Sequence, residues 1–236
     1  MTGAARDRIA LIVMAKAPVP GRVKTRLCPP ASPSQAATVA EAALADTLHA
    51  ALQAPVDRRV LVLEGAVSAW VPSTFEVIPQ RGSGLDERLS HAFEDVDCPA
   101  FLIGMDTPQV TASLIAHASG LLARSGSDAV LGWAADGGWW GIGLRRPDPA
   151  VFLGIRMSTS GTGKAQAARL DALGLRWERL PVLRDVDTFA DAMAVAATIP
   201  HTRFAAAVDE IRRAIVSRVT PPKHGRTAQR VQVVRT

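Results

Sequence analysis

The sequence predicts an α/β protein with a mostly parallel sheet covered by helices on both faces. Two observations carry that prediction. Short runs of Val, Ile, Leu and Ala, bounded by Pro, Gly or Asp, recur along the chain and read as buried strands. Between them lie longer segments whose apolar residues recur at helical spacing. With 236 residues, 48% of them hydrophobic and 21% charged, the chain is long and apolar enough for one domain with a sizeable core.

The elements follow in order. Ile9–Met14 is the first strand. Pro29-Pro30-Ala31-Ser32-Pro33 forms a spacer in which Ser32 or Ser34 can cap a helix over residues 35–52, with Val39, Ala43, Leu44, Leu48 and Leu52 on one face. Strands are expected at 59–63 and 75–78. After Gly82-Ser83-Gly84, a helix spans 85–93. A strand at 100–104 ends on Met105-Asp106-Thr107-Pro108, and a helix follows over 111–123. Strands at 129–133 and 139–144 flank Asp136-Gly137-Gly138, and a helical turn opens at Pro149. A helix over 162–173 is closed by Gly174, a strand covers 175–180, and helices cover 189–197 and 202–217. Residues 1–217 form the predicted domain, and 218–236 a basic, disordered tail.

Charge excludes some functions. Residues 211–236 hold seven of the 27 Lys and Arg and no acid, so the net charge of +5 belongs to these last 26 residues and the chain before them is slightly acidic. A nucleic-acid-binding body is not indicated. No run approaches the roughly eighteen apolar residues of a membrane span, and no secretory leader is recognisable. Cys28 and Cys98 and five scattered His suggest neither a disulfide framework nor a zinc site. A cytoplasmic protein is expected, with a homo-oligomer left open.

The stretch that organises the chemistry is Ala15–Leu27, AKAPVPGRVKTRL. Pro18 and Pro20 lack the N–H a central strand donates, and Gly21 admits backbone angles closed to other residues, so the strand must end in a turn. That turn carries Lys16, Arg22, Lys24 and Arg26 with no acid among them, which suits a polyphosphate. In isolation a solvated basic loop would be the commoner outcome. Its position after the first strand favours a ligand, because ligands of such sheets sit beyond the carboxyl ends of the strands. Three acids fall at the same edge: Asp106, Asp136 and Asp187. Singly, each has a bland explanation: Asp106 and Asp187 as helix caps, Asp136 as a turn residue. Together, facing a basic loop, they suit Mg²⁺, which takes one or two carboxylates plus phosphates and waters.

Two look-alikes fail. Ser160-Gly161-Thr162-Gly163-Lys164-Ala165 mimics the end of a P-loop, but Ser158 and Ala165 stand where that motif needs Gly and Ser or Thr. Gly82-Ser83-Gly84 lacks the third glycine of a dinucleotide fingerprint. Trp139-Trp140 could stack a base or sugar, although aromatic pairs more often belong to the core.

The ordered set AKAPVPGRVKTRL, Gln80-x-Gly82-x-x-Leu85-x-x-Arg88, GMDTP, DGGWW-x-IGL, Met157-Ser158-Thr159 and DVDT resembles a family of bacterial GT-A-fold proteins over residues 8–198. That family, long catalogued as a domain of unknown function and often labelled glycosyltransferase, is similar to the guanylyltransferases of coenzyme F420 synthesis. The resemblance implies a three-layer α/β/α, nucleotide-diphospho-sugar-transferase-like fold using Mg²⁺ or Mn²⁺. It implies Asp106 and Asp187 as metal ligands. It further implies Lys16, Gly21, Lys24, Arg26, Gln80 and Arg88 around the nucleotide, with Lys24, Arg26 and Asp136 as catalytic residues. Gly84 and Asp86 stand where the family has aspartate and glycine, Trp139 and Trp140 where it has tyrosine, and Met157 where it has tryptophan, departures that bear on the acceptor.

The first expectation is therefore nucleotidyl transfer from an NTP to a small phosphorylated or hydroxylated acceptor, with loss of pyrophosphate. Four unopposed cations exceed what an NDP-sugar requires, each charge-assisted contact being worth about 1.5–3 kcal/mol. Glycosyl transfer from an NDP-sugar is the alternative, and a non-catalytic nucleotide- or nucleic-acid-binding protein the third.

Overall fold

A computed structural model describes residues 8–67, 70–124 and 126–219. Its thirteen main elements are β1 (Ala10–Lys16), α1 (Pro33–Gln53), β2 (Arg58–Glu64), β3 (Glu76–Pro79), α2 (Leu85–Val96), β4 (Ala100–Gly104), α3 (Ala112–Ala123), β5 (Ala129–Ala134), β6 (Trp139–Leu144), α4 (Thr162–Ala172), β7 (Trp177–Leu183), α5 (Phe189–Thr198) and α6 (Arg203–Val219). The seven strands form one sheet in the order β3-β2-β1-β4-β6-β5-β7. All adjacent pairs are parallel except those of β6, which runs against both β4 and β5. Six strand ends and the start of β6 therefore share one rim.

The alternation of strands and helices explains the layers. β1 lies centrally, with Ala10–Ala15 buried, because both of its faces are covered. Leu11, Val13, Leu44, Leu48 and Ile115 pack on the α1/α3 side, and Ile12, Leu89, Phe93, Phe152 and Leu170 on the α2/α4 side. Phe93 and Phe152 stack there with centroids 5.3 Å apart. A third cluster joins α1, α5 and α6 to Leu27 and Val186. The end of the basic loop and the turn after β7 therefore rest on the same apolar base.

Helix starts show where bland explanations of the acids fail. Ser32 caps α1, with its side chain accepting from Gln35 N while the Gln35 side chain accepts from Ser32 N. Thr111 caps α3 through Leu114 N, and Thr188 caps α5 in a capping box with Asp191. Asp106 and Asp187 cap neither helix. β7 runs on to Leu183, three residues beyond the predicted end. Pro181 lies inside β7 and is tolerated because β7 is an edge strand paired only with β5. α6 runs to Val219, and the tail expected to be disordered lies, beyond that residue, outside the described residues. Among the described residues no helix is long and apolar enough to cross a membrane.

Candidate active site

A cleft of about 670 Å³ opens along the shared rim. Lys16, Lys24, Arg26, Gln80, Arg88, Asp106, Asp136 and Asp187 all line it. Gly21 does not: it forms the preceding turn at φ +76°, where Arg22 N donates to Val19 O at 3.0 Å. Its contribution is conformational, since few other residues hold that angle cheaply.

At the centre stands Lys24, itself left-handed at φ +50°. Its ammonium donates to the Asp106 carboxylate and to Val186 O, and its side chain is only 9% exposed. Val186 N in turn donates to Asp106 O at 3.0 Å. Three loops, after β1, β4 and β7, are thereby closed on one another. Further out, Arg26 Nη1 donates to Asp187 Oδ2 at 2.5 Å.

The flank belongs to Glu64, at the end of β2. Its carboxylate takes Lys16 Nζ at 3.2 Å and Arg88 Nη1 at 2.5 Å. Burial pushes the Glu64 carboxyl up, but the two cations outweigh it and hold the group below its usual range. Gln80 ties the flank to the sheet: Nε2 donates to Ala15 O at 2.9 Å and Val62 O at 3.3 Å, fastening the ends of β1 and β2, while Oε1 accepts from Arg88 Nη1 at 3.3 Å.

These pairs correct one inference from the sequence. The cations of the basic loop are not unopposed: Glu64, Asp106 and Asp187 meet Lys16, Lys24 and Arg26. Within the loop itself no acid occurs; folding brings the acids from other strand ends. Among the described residues Arg22 has no ion pair and is exposed at the cleft.

Asp136 keeps part of its bland role. Its Oδ1 accepts from Gly138 N at 2.8 Å, closing the β5–β6 turn while the residue lines the cleft. That turn is braced by the start of α4. Gly163 N donates to Gly137 O at 2.9 Å, and the backbones are so close that a Cβ at Gly163 would lie 2.7 Å from Gly138 O. The segment that imitates a P-loop thus serves as backbone packing for the Asp136 turn. Trp140 is core, its ring edge-on to Phe101 and its indole N–H donating to Pro181 O at 2.9 Å; Trp139 is half-buried at the cleft.

Asp185 was not singled out by sequence. It lines the cleft, and its carboxyl is pushed up to about 7 by burial and by the charges of Asp106, Asp136 and Asp187, with Lys24 acting in the opposite direction. The signal was present in DVDT. Val186 is fully buried, so in an extended segment the residues on either side of it point away from the core together.

No three His, Cys, Asp or Glu among the described residues are grouped to hold a metal unaided. Asp106, Asp185 and Asp187 line the cleft with carboxylate oxygens, the donor type a hard dication takes.

The fold and rim define a GT-A-like α/β protein, of the kind seen in nucleotidyl and nucleotide-sugar transferases. The chain belongs to the bacterial family described as "Uncharacterized protein conserved in bacteria (DUF2064)", whose model matches residues 38–159. Among solved structures it is similar to a protein of Desulfovibrio desulfuricans G20 assigned provisionally to the nucleotide-diphospho-sugar transferases. That pair shares 26% identity at a TM-score of 0.78, over 87% of this chain and 97% of the other. It is also similar in fold to Rv0371c of Mycobacterium tuberculosis H37Rv, solved as a manganese complex, with 21% identity and a TM-score of 0.50 over 80% and 97% of the two chains. A nucleotidyl transferase of Methanothermobacter thermautotrophicus shares the fold at 14% identity and a TM-score of 0.54, over 88% and 99%. No curated protein matches the sequence.

Proposed function

We propose that this protein is a metal-dependent nucleotidyltransferase, moving a nucleoside monophosphate from an NTP to a small phosphorylated or hydroxylated acceptor. The observation that carries it is the meeting of Lys24 with Asp106 at the strand rim, which sets the cation we assign to phosphate against the carboxylate we assign to the metal. Asp106 and Asp187, with Asp185 beside them, would hold Mg²⁺ or Mn²⁺, whose chemistry is to draw charge from the phosphoryl oxygens. The manganese complex of Rv0371c supports use of a divalent cation.

In the reaction, an acceptor oxygen bonds to the α-phosphorus. The bond from that phosphorus to the α,β-bridging oxygen breaks, and pyrophosphate carries the electron pair away. Lys24 and Arg26 offset the charge that builds on the transferred and leaving groups. Asp136, on the β5–β6 turn, faces the acceptor and takes its proton when it is a hydroxyl. Arg22, exposed and without an ion pair, adds a cation for the outer phosphates. Lys16, Gln80 and Arg88 form the flank against the nucleotide, with Gly21 setting the turn. Residues 1–219, two beyond the boundary expected from sequence, form the transferase unit, and a chain ending there should keep full activity.

Glycosyl transfer from an NDP-sugar is the second reading, favoured by the 26% identity to the Desulfovibrio protein. A thermal-shift panel of NTPs and NDP-sugars with and without Mg²⁺ or Mn²⁺ separates the two. Metal-dependent stabilisation by an NTP exceeding that by any NDP-sugar is expected. Stabilisation by an NDP-sugar alone would overturn nucleotidyl transfer.

A further inference from the structure

Resting on the transfer reading, we propose that the acceptor is an uncharged alcohol with an aromatic or hydrocarbon body, held by the β5–β6 side of the cleft. Charge is divided between the two sides. The cations that line the cleft, Lys16, Arg22, Lys24, Arg26 and Arg88, come from β1, the loop after it and α2. Among the described residues, the lining contributed by β5, β6 and the approach to α4 contains no Lys or Arg, and its one charged group is Asp136.

The rest of that side is apolar or neutral. Trp139 and Met157 line it half-buried, packed against the cluster on the α2/α4 side of the sheet. Trp139 Nε1 is buried, with no hydrogen-bond partner among the described residues, so the indole offers the cleft ring carbon and not its N–H. Ser158 and Thr159 add neutral polar groups. A sugar would gain from an indole N–H that is turned away. A flat or aliphatic body gains from the ring carbons and the Met157 thioether.

This side is also preformed. Thr162 Oγ1 accepts from Thr159 N at 3.0 Å and donates to Arg156 O at 3.0 Å, closing the loop that carries Met157. Within that loop Ser158 is left-handed at φ +58°. A Cβ at Gly137 would lie 2.2 Å from Ser160 O, so the loop and the Asp136 turn are in backbone contact. Asp136 and the apolar surface thereby keep a fixed relation.

A phosphate or carboxylate on the acceptor would face Asp136 with no cation on that side to pair it, and a charge taken from water without a partner is heavily penalised. A hydroxyl meets no such penalty. Its proton passes to Asp136 as its oxygen bonds to the α-phosphorus, and pyrophosphate leaves with the electron pair of the broken bond. The product is an apolar alcohol esterified with a nucleoside monophosphate.

The test measures binding to the full chain by ligand-observed NMR, with inorganic pyrophosphate added to occupy the cations of the opposite side. The probes are naphthylethanol, its phosphate ester and glycerol. Naphthylethanol should bind at least about tenfold more tightly than either of the others, because the ester carries an unpaired charge and glycerol buries no apolar surface. Trp139→Ala should weaken it at least about fivefold, the scale of an aromatic contact and its buried area. Met157→Lys adds a cation to that side and should shift the preference towards the ester by about tenfold. Ester or glycerol bound as tightly as naphthylethanol overturns the proposal, as does unchanged binding of naphthylethanol by folded Trp139→Ala. If Trp139→Ala does not fold, Met157→Lys decides, and an unshifted preference there overturns it too. Pyrophosphate release from NTPs is assayed separately: none from any NTP would sink nucleotidyl transfer and leave the alcohol subsite standing.

Discussion

Lys24 and Asp106 come from the loops after β1 and β4 and meet as an ion pair whose lysine is almost wholly buried, while the Lys24 ammonium also donates to Val186 O. One side chain thus bridges three strand ends. Asp106→Asn leaves Lys24 with a weaker acceptor at a cost of about 1–3 kcal/mol. The fold should survive, with a lowered melting temperature, and stabilisation by nucleotide should no longer respond to Mg²⁺ or Mn²⁺. Thermal melts with and without metal check this; a metal response equal to that of wild type would remove Asp106 from the site.

Lys24→Ala addresses the donor. If Lys24 turns to the outer phosphates, the loss of its contact, about 1.5–3 kcal/mol for a charged hydrogen bond, should fall more on a nucleoside triphosphate than on a diphosphate. Binding is measured with metal present. An equal loss for both nucleotides would point to an NDP-sugar donor.

Asp185 gives the pH dependence. Its carboxyl ordinarily titrates near 3.8 and is pushed up to about 7 in the fold. Between those values the folded chain holds a proton that the unfolded chain has released, so stability falls as pH rises through the window and levels off above about 7. Asp185→Asn should therefore stabilise the protein at pH 8 by about 1–3 kcal/mol and do little at pH 4. Melting curves across that range test the sign; a gain confined to low pH would contradict it.

Much of the fold was legible because it depends on local pattern. β1 is an unbroken apolar run because both of its faces are covered, and α1 announces itself by Ser32, Pro33 and a regular apolar face. The three loops of the site were legible as well, since chemistry-bearing residues followed strands. What local pattern does not hold is pairing at a distance. Glu64 looks like the ordinary end of a strand, yet it holds both Lys16 and Arg88. Asp185 was hidden beside Asp187 because its importance comes from the burial of Val186 and from Asp106 and Asp136, two acids brought in from other strand ends. Thr111 and Thr188 went unnoticed as caps although each precedes its helix, and recognising them would have freed Asp106 and Asp187 from that duty.

The glycines of α3 and α4 predict opposite outcomes for one substitution. A Cβ at Gly163 would meet Gly138 O at 2.7 Å, Gly137 O at 2.9 Å and the Trp133 ring at 2.9 Å. Backbone cannot yield as a flexible side chain does, so Gly163→Ala should cost about 1–3 kcal/mol and shift the Asp136 turn. Gly120, inside α3, has nothing within 4 Å of such a Cβ. Gly120→Ala should stabilise by about 0.5–1 kcal/mol. Denaturant titration of both variants tests the pair, and a destabilised Gly120→Ala or neutral Gly163→Ala would show that the backbone contact is not limiting.

Leu27 tests whether the two charged loops share a foundation. It ends the basic loop fully buried, in the same apolar cluster as Val186, α5 and α6. Leu27→Ala should cost about 2–5 kcal/mol, the usual range for a buried leucine. Leu89, equally buried on the α2 side of the sheet, belongs to a different cluster. Its truncation should cost a similar amount, but through a wall of the cleft that carries none of the acids. If the charged loops are positioned by their common base, Leu27→Ala should weaken binding of metal and pyrophosphate well below saturation of unfolding, while Leu89→Ala at matched stability should spare it. Equal binding by the two variants would mean that Lys24 alone, through its bonds to Asp106 and Val186 O, keeps the loops together.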